Sequence, residues 1–252
     1  LAASGHRSFP AYRKPSVAII STGDELVEPG QPLQPGQIYN SNTYALQAAV
    51  AALSIDRCAL FHTRDDRDST REVLSSALDS ADVAISAGGV SVGDFDFVKD
   101  VAEQLGIETV FWRIALKPGK PVYFGKRAST AGTTSKLIFG LPGNPVSALV
   151  TFHQLVRPAL LKILGQQDRQ PLALHATLTR TIRKKAGRME FVRGVASSRD
   201  HTLYVEPTAG QESHMMGGLA PANCLILFPL EAEVLTEGQE VGIDLLEWHG
   251  TY

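Results

Sequence analysis

The sequence predicts an α/β domain built on a three-layer parallel sheet, followed by a small all-β, barrel-like domain. In the first two thirds of the chain, short apolar runs alternate with helical patterns of about 10 to 15 residues, which is typical of a parallel sheet covered on both faces. After Gly165 the apolar runs become short and β-like, and no convincing helix follows. The length of 252 residues exceeds the usual domain size of about 100 to 200 residues, so two domains are expected.

We expect three segments along the chain. Residues 1–14 are an N-terminal segment left from a preceding domain, because the chain begins with Leu1 rather than Met. Residues 15–165 form the α/β domain and residues 171–252 form the β-barrel domain. The polar stretch between Gly165 and Pro171 is typical of a linker.

The first elements alternate between strand and helix. Apolar runs predict strands, and apolar residues at helical spacing predict helices, in the order Val17–Ile20, Asn42–Leu53 (helix), Ala59–Phe61, Ser69–Leu78 (helix), Val83–Ile85 and Asp96–Leu105 (helix). Ser69 is expected to cap the second helix, since Glu72 follows at capping-box spacing. Gly106 suits the position just after the third helix.

A strand pattern and a turn come next. Val110 to Lys117 alternates with a period of two, which places Arg113 and Lys117 on the same face. Lys117-Pro118-Gly119-Lys120 has the residues of a type II turn at its centre. Two lysines beside an arginine repel each other unless an anion lies between them. These residues therefore favour a bound anion at the turn. The alternative is a basic turn that is only exposed to solvent.

A long helix closes the α/β part. Asn144 is a good N-cap and Pro145 suits the first helical position, so we expect a helix over residues 146–164 that Pro158 bends or interrupts. Ser147 in its first turn can offer a hydroxyl to a bound anion. The alternative is a well-made helix start with no ligand. Five β-like runs then predict the barrel strands, at residues 172–179, 191–196, 203–206, 224–228 and 238–245.

Composition excludes several classes of protein. Lys and Arg number 24 and Asp and Glu number 26, giving a formal net charge of −2, which argues against a nucleic-acid binder. Cys58 and Cys224 form neither a disulfide framework nor a metal knuckle. No apolar run approaches the roughly 18 residues that span a bilayer. We therefore expect a cytoplasmic protein with no membrane contact.

Acidic pairs follow three of the predicted strands, namely Asp24/Glu25, Asp65/Asp66 and Asp94/Asp96. Because the carboxyl ends of parallel strands meet at one edge of a sheet, these carboxylates are expected to converge there. Carboxylate oxygens are ligands for Mg²⁺, which in turn holds phosphate groups. The alternative is that Asp is simply favoured in loops and caps.

A glycine-rich loop, residues 86–93, connects a buried strand to a helix. Its exposed backbone N–H groups and the following helix N-terminus favour an anion, so Gly88, Gly89, Ser91 and Gly93 are candidate ligand-binding residues. The loop matches neither a P-loop nor a dinucleotide fingerprint. The alternative is a plain tight turn.

Taken together, the ordered motifs resemble one family. They are Ser21-Thr22-Gly23-Asp24-Glu25-Leu26, Gly88 to Asp96 (GGVSVGDFD), Lys117-Pro118-Gly119-Lys120-Pro121 and Leu141-Pro142-Gly143-Asn144-Pro145-Val146-Ser147. The chain resembles the C-terminal half of the molybdopterin molybdenumtransferases, the family that includes the E domain of gephyrin. The resemblance covers the chain from Tyr12 to its end.

The resemblance implies a reaction and a site. Adenylylated molybdopterin and molybdate give molybdenum cofactor and AMP with the help of Mg²⁺. By position, the implied catalytic residues are Glu25, Asp65 and Asp96, which also hold the metal, with Arg113, Lys117 and Lys120 as the basic group. Pro142, Pro145 and Ser213 fall near the pterin or phosphate, beside the glycine loop, Asn144 and Ser147 named above.

Two alternatives stay open at this point. One is molybdopterin adenylyltransferase, which resembles the α/β domain alone, and the other is a non-catalytic scaffolding module that binds a peptide. Full-length members of the family carry further N-terminal domains, and their homodimers complete each site with residues of the partner chain. We therefore expect a homodimer in the full-length form, with other cofactor-biosynthesis proteins as partners.

Overall fold

The structure is a computed structural model that describes residues 1–89, 97–129, 135–166, 174–213 and 215–246. In chain order, its strands are β1 (Val17–Thr22), β2 (Leu26–Val27), β3 (Ile38–Tyr39), β4 (Cys58–Thr63), β5 (Val83–Ala87), β6 (Glu108–Trp112), β7 (Leu116–Lys117), β8 (Tyr123–Arg127), β9 (Lys136–Leu141), β10 (Leu174–Leu178), β11 (Ile182–Arg183), β12 (Met189–Arg199), β13 (Thr202–Pro207), β14 (Cys224–Phe228), β15 (Val234–Leu235) and β16 (Glu240–Leu245). The helices are α1 (Ser41–Ala51), α2 (Arg67–Ser80), α3 (Phe97–Gln104), α4 (Pro145–Thr151) and α5 (Arg157–Ile163), with a π-helical turn over Phe152–Val156.

The first sheet is six strands wide, in the order β4-β1-β5-β9-β8-β6. Strands β4, β1, β5 and β9 are parallel. The first three are predicted from the sequence, whereas β9 is not. Strand β8, which the sequence analysis does not predict, runs antiparallel to both of its neighbours. Only residues 128–135 connect β8 to β9, and this is too short for the crossover that a parallel pair requires.

Helices cover both faces of this sheet, so the predicted three-layer arrangement is confirmed. Along β1, Val17 and Ile19 pack in the cluster that holds α1, α4 and α5, and Ala18 and Ile20 pack in the cluster that holds α2 and α3. All four of these side chains are buried. A strand buried on both faces explains why its sequence is a continuous apolar run.

The start of α2 differs from the prediction. Asp66, not Ser69, is the N-cap, and its Oδ1 accepts a hydrogen bond of 2.8 Å from the backbone N–H of Ser69. The Ser69 hydroxyl instead contacts the Thr63 hydroxyl at 2.9 Å. Both residue types are good caps, and Asp66 has the extended backbone that the cap position requires.

The predicted continuous strand from Val110 to Lys117 is wrong. It breaks after β6 because Arg113 adopts a positive φ of 68°, and the chain then crosses to the second sheet, where β7 pairs with β12. Arg113 and Lys117 therefore do not share one strand face. In the following turn Gly119 has a φ of 113°, positive as the predicted type II turn requires, and the Lys117–Pro118 peptide bond is cis.

The long helix of the prediction is divided into three parts. Helix α4 begins at Pro145, the π-helical turn follows, and α5 contains Pro158 near its start. Proline lacks an N–H and crowds the carbonyl four residues before it, and π-turns are a common way to absorb this defect. The predicted interruption at Pro158 is confirmed.

The second sheet has six strands in the order β13-β10-β16-β14-β12-β7, and the pairing of β12 with β13 closes the first five into a barrel. The predicted barrel-like fold is thus confirmed. The barrel has its own core, in which Leu178, Val205 and Ile226 are buried. A second barrel face, including Phe191 and Leu225, joins the core that contains α4 and α5. The barrel therefore packs directly against the helices of the first sheet.

Across the ranges that the structure describes, the helices are too short or too polar to span a membrane.

Candidate functional site

A cavity of about 790 Å³ lies at the carboxyl ends of β1, β5 and β9. We call it the larger cavity. Its walls come from the ends of those strands, from the loop after β4, from the start of α1 and from the loop before α4; they include Thr22, Glu25, Asn40, Asn42, Asp65, Gly88, Gly89, Pro142, Gly143, Asn144 and Pro145. The predicted edge of the sheet is therefore where these loops meet.

Gly88 and Gly89 form part of the wall of the larger cavity and have positive φ values of 97° and 67°. A Cβ atom on Gly88 would lie 3.0 Å from the carbonyl oxygen of Thr22, and one on Gly89 would lie 2.9 Å from a methyl of Val98. Both the backbone conformation and the close approach disfavour a residue with a Cβ at these two positions. Ser91 and Gly93 of the predicted loop lie outside the described residues.

The carboxylates of Glu25 and Asp65 face the same cavity. Within the described ranges, neither carboxylate forms a hydrogen bond or an ion pair, and no group of three or more His, Cys, Asp or Glu side chains is placed to hold a metal. Asp96, the third predicted ligand, lies outside those ranges. These two carboxylates at the edge of the larger cavity are a donor set that suits Mg²⁺, which binds through one or two carboxylates together with waters and phosphate oxygens.

Thr22 and Asn42, two residues in the wall of the larger cavity, each have a buried polar atom that lacks a partner in the described part of the chain. The Thr22 hydroxyl and the Asn42 amide oxygen are buried and have no hydrogen-bond partner among the described residues. The Asn42 amide nitrogen donates to the carbonyl of Gly143 at 2.6 Å, which links α1 to the loop before α4. An unpaired buried polar atom costs about 1–3 kcal/mol, so two residues beside the cavity each carry an unsatisfied polar group.

A second cavity, of about 450 Å³, adjoins the first, and the two share Pro121, Pro142 and Asn144 in their walls. We call it the smaller cavity. Its remaining walls come from the turn after β7, from the first turn of α4 and from the barrel; they include Lys117, Lys120, Ser147, Arg188, Glu190, Arg193, Gln211, Glu212 and Ser213. Four cationic side chains against two carboxylates make this cavity suited to an anion.

One of these cations is already paired. The Lys117 ammonium lies 2.9 Å from a carboxylate oxygen of Glu190, a residue opposite it in the β7–β12 pairing. The Lys120 side chain is exposed and forms no ion pair in the described part of the chain. Lys120 is therefore freer than Lys117 to meet an incoming anion.

Ser213 of the barrel joins the loop before α4. Its carbonyl accepts from the backbone N–H of Val146 at 3.2 Å, and its hydroxyl accepts from the Asn144 amide at 3.0 Å. Asn144 occupies the predicted N-cap position of α4, but its side chain makes this contact instead of a capping hydrogen bond. Ser147 is buried in the first turn of α4 and lines the smaller cavity.

Arg113 is a predicted site residue that lines neither cavity. Its guanidinium lies 4.0 Å from the ring centroid of Trp112, a cation–π contact on the protein surface. The other described candidates line one cavity or both.

Several wall residues were not predicted from the sequence, among them Asn42, Arg188, Glu190 and Arg193. Arg188 ends a basic run, residues 183–188, just before a predicted strand, and that run was the available signal. Asn42 and Arg193 carry no such signal, because their contacts are with loops distant in sequence.

Comparison with known proteins identifies the class of fold. Residues 18–162 match the family described as "Probable molybdopterin binding domain", and residues 175–246 match the "MoeA C-terminal region (domain IV)". The two matches define a molybdopterin-binding domain followed by a MoeA-type C-terminal region.

Individual relatives agree with this class. The chain is 38% identical over 246 residues to the molybdopterin molybdenumtransferase of Haemophilus influenzae, covering 97% of the chain and 59% of the relative. It is 36% identical to that of a Nostoc species, covering 96% and 55%. A crystal structure of the molybdopterin biosynthesis MoeA protein of Pyrococcus horikoshii aligns with a TM-score of 0.75 and 33% identity, covering 92% of the chain and 55% of that protein.

The chain belongs to the family described as "Probable molybdopterin binding domain", whose model matches more than half of it, and is similar to molybdopterin molybdenumtransferases over nearly its whole length. It spans between 55% and 59% of the length of these three relatives.

Proposed function

We propose that this chain carries the substrate-binding site for Mg²⁺-dependent insertion of molybdate into adenylylated molybdopterin, with release of AMP. The observation that supports the proposal most is the adjacency of two cavities of different character, with Pro121, Pro142 and Asn144 common to both. An organic phosphate and an inorganic oxyanion have to meet in this reaction, and each cavity suits one of them.

The larger cavity is proposed to bind adenylylated molybdopterin. Its volume of about 790 Å³ lies in the range of about 300–1,000 Å³ that is typical of ligand pockets. Gly88 and Gly89 form part of its wall, and the carboxylates of Glu25 and Asp65 face it. Ser91 and Gly93 are also proposed to bind this ligand.

Glu25 and Asp65 are proposed to hold Mg²⁺, with Asp96 as a further ligand. When bound, the ion offsets phosphate charge and makes AMP a better leaving group. The two carboxylates orient the phosphates at the edge of the sheet, and Pro142 and Pro145 give the facing wall a fixed shape.

The smaller cavity is proposed to bind molybdate. Lys120, Lys117 and Arg188 supply positive charge, and the hydroxyls of Ser147 and Ser213 supply hydrogen bonds to the oxyanion. Arg113, on the surface beside Trp112, is proposed to act at longer range by attracting the dianion. No side-chain nucleophile is required, since positioning and charge compensation lower the barrier.

We also propose that residues 15–165 and 171–252 are the two domains, with residues 1–14 as a segment that leads in from a preceding one. Sheet membership supports this division, apart from β7, which pairs with a barrel strand. The complete enzyme is proposed to be a homodimer that works in the cytoplasm with other proteins of cofactor biosynthesis.

The test measures AMP release from adenylylated molybdopterin, molybdate and Mg²⁺ by the full-length gene product. Asp65→Asn is expected to lower the rate at least 100-fold and to raise the Mg²⁺ concentration required, and Lys120→Ala is expected to raise the KM for molybdate. Asp68→Asn, on the exposed side of α2, is the matched control for the carboxylate change. Unchanged rates in both site variants, or ATP-dependent adenylylation by the wild type, contradict the proposal.

A further inference from the structure

Arg193 is a buried cation in the wall of the smaller cavity. It lies on β12 and is 1% exposed. In the described part of the chain, its guanidinium forms no ion pair with a carboxylate. A buried charge is costly unless it is paired or fully hydrogen-bonded, so the hydrogen bonds of Arg193 determine whether its burial can be tolerated.

Its hydrogen bonds converge on one segment, residues 210–213 and 215, which we call the Ser213 loop. The guanidinium donates to the carbonyls of Gly210 at 2.6 Å, Met215 at 3.2 Å and Glu212 at 3.4 Å. Arginine presents five N–H donors in a rigid planar fork, and this geometry lets one side chain hold three carbonyls at once.

Gln211 completes the attachment. Its amide oxygen accepts from the backbone N–H of Arg193 at 3.1 Å and from its Nε at 3.3 Å. Its amide nitrogen donates to the carbonyl of Arg193 at 3.0 Å and to the carbonyl of Thr208 at 2.9 Å. The Ser213 loop is therefore fixed to β12 at both its backbone and its side chains.

The loop carries Ser213 across to the first sheet's side of the cavity. There Ser213 contacts Val146 through its carbonyl and Asn144 through its hydroxyl. A displacement of the loop would thus move the Ser213 hydroxyl and break the contact between the barrel and α4 at the same time.

We propose that Arg193 is the positioning residue of the smaller cavity: it fixes the Ser213 loop against the start of α4, and its charge is balanced by the oxyanion that the cavity binds. The identity of that oxyanion rests on the proposed function. The positioning role rests on the contacts described above and needs no ligand.

The experiment has one arm without ligand and one with it. Hydrogen–deuterium exchange of the ligand-free chain follows the amides of Val146 and of residues 208–213. The Val146 amide is informative because its hydrogen bond to the Ser213 carbonyl connects α4 to the barrel. Calorimetric titration with sodium molybdate then reports affinity, and circular dichroism checks that each variant is folded. The variants are Arg193→Lys and Gln211→Met, and the control is Arg199→Lys, an exposed change on the same strand, where Arg199 stacks on Tyr204.

In Arg193→Lys, which keeps the charge and loses the fork, exchange at Val146 is expected to accelerate at least 10-fold and the molybdate Kd to rise at least 10-fold. In Gln211→Met, which keeps the size of the side chain, both changes are expected to have the same direction and a smaller size. Arg199→Lys is expected to match the wild type. In the AMP-release assay, Arg193→Lys is expected to raise the KM for molybdate more than it lowers kcat, a division that general destabilisation does not produce.

Exchange at wild-type rates in both Arg193→Lys and Gln211→Met overturns the positioning role. If Arg193→Lys does not fold, Gln211→Met alone decides that point. Wild-type molybdate affinity in a variant with accelerated exchange overturns the link to the oxyanion. Failure of the wild-type chain to bind molybdate counts against the proposed function instead, and the exchange results still judge the positioning role.

Discussion

Gly89→Ala tests the close packing of the glycine loop that forms part of the larger cavity. The new Cβ would lie 2.9 Å from Val98 Cγ2, and a β-branched side chain has little freedom to move away. Overpacking of this kind costs about 1–3 kcal/mol. Gly89 also has a φ of 67°, and that conformation costs a residue with a Cβ about 1–2 kcal/mol. The two contributions predict a loss of about 2–5 kcal/mol in the free energy of unfolding.

Gly106→Ala is the matched control. Gly106 follows α3, the helix that carries Val98, and has a φ of 78°, but nothing lies within 4 Å of its Cβ position. It should therefore lose only the conformational contribution, about 1–2 kcal/mol. Urea unfolding followed by circular dichroism measures both variants, provided that the slope with urea is unchanged. Equal losses in the two variants would refute the close packing of Gly89 against Val98.

Three further predictions concern other parts of the molecule. Burial alone would raise the pKa of Asp82, but hydrogen bonds from Arg13 and Ser16 outweigh it and lower that pKa to about 2. This lowered pKa stabilises the fold by about 1–2 kcal/mol after a discount for the exposed arginine. The stabilisation is complete above the ordinary Asp pKa of 3.8 and is lost as the pH falls through about 2. The free energy of unfolding, measured as a function of acid pH, should show this loss in the wild type and not in Asp82→Asn. Glu190→Gln frees Lys117 and removes a negative charge that repels molybdate from the smaller cavity. Molybdate should therefore bind roughly two- to fivefold more tightly, and weaker binding measured by calorimetry would contradict this. Burial raises the pKa of Cys224 to about 12, so its thiol should resist iodoacetamide at pH 8 until the chain is unfolded, and rapid labelling of the native protein would argue against that burial.

Much of the first sheet can be predicted from sequence because its central strands are buried on both faces. Strands β1 and β5 begin with continuous apolar runs, residues 17–20 and 83–85, and short runs of this kind are typical of strands in a covered parallel sheet. The N-cap of α2 could not be decided in the same way, since Asp66 and Ser69 both have suitable side chains and local sequence does not distinguish them. The sequence also did not indicate that the chain passes to the second sheet after Arg113. The period-two pattern of residues continues through Arg113, although its φ is positive.

The candidate site divides along similar lines. Glu25, Asp65, Lys117 and Lys120 could be predicted because each lies in a short motif that follows a strand or forms a turn, and all four line one of the two cavities. Arg193 could not be predicted, since its partners lie 17 to 22 residues further along the chain. Such contacts depend on how the barrel closes, which a local pattern does not contain.

The most direct test of the two-cavity site is a crystal structure of the protein with molybdopterin and molybdate. We expect the pterin phosphate in the larger cavity beside Gly88 and Gly89, and an oxyanion in the smaller cavity within hydrogen-bond distance of Lys120 and Ser213. Either ligand bound away from its cavity, in crystals where both cavities are open to solvent, would contradict the proposed site.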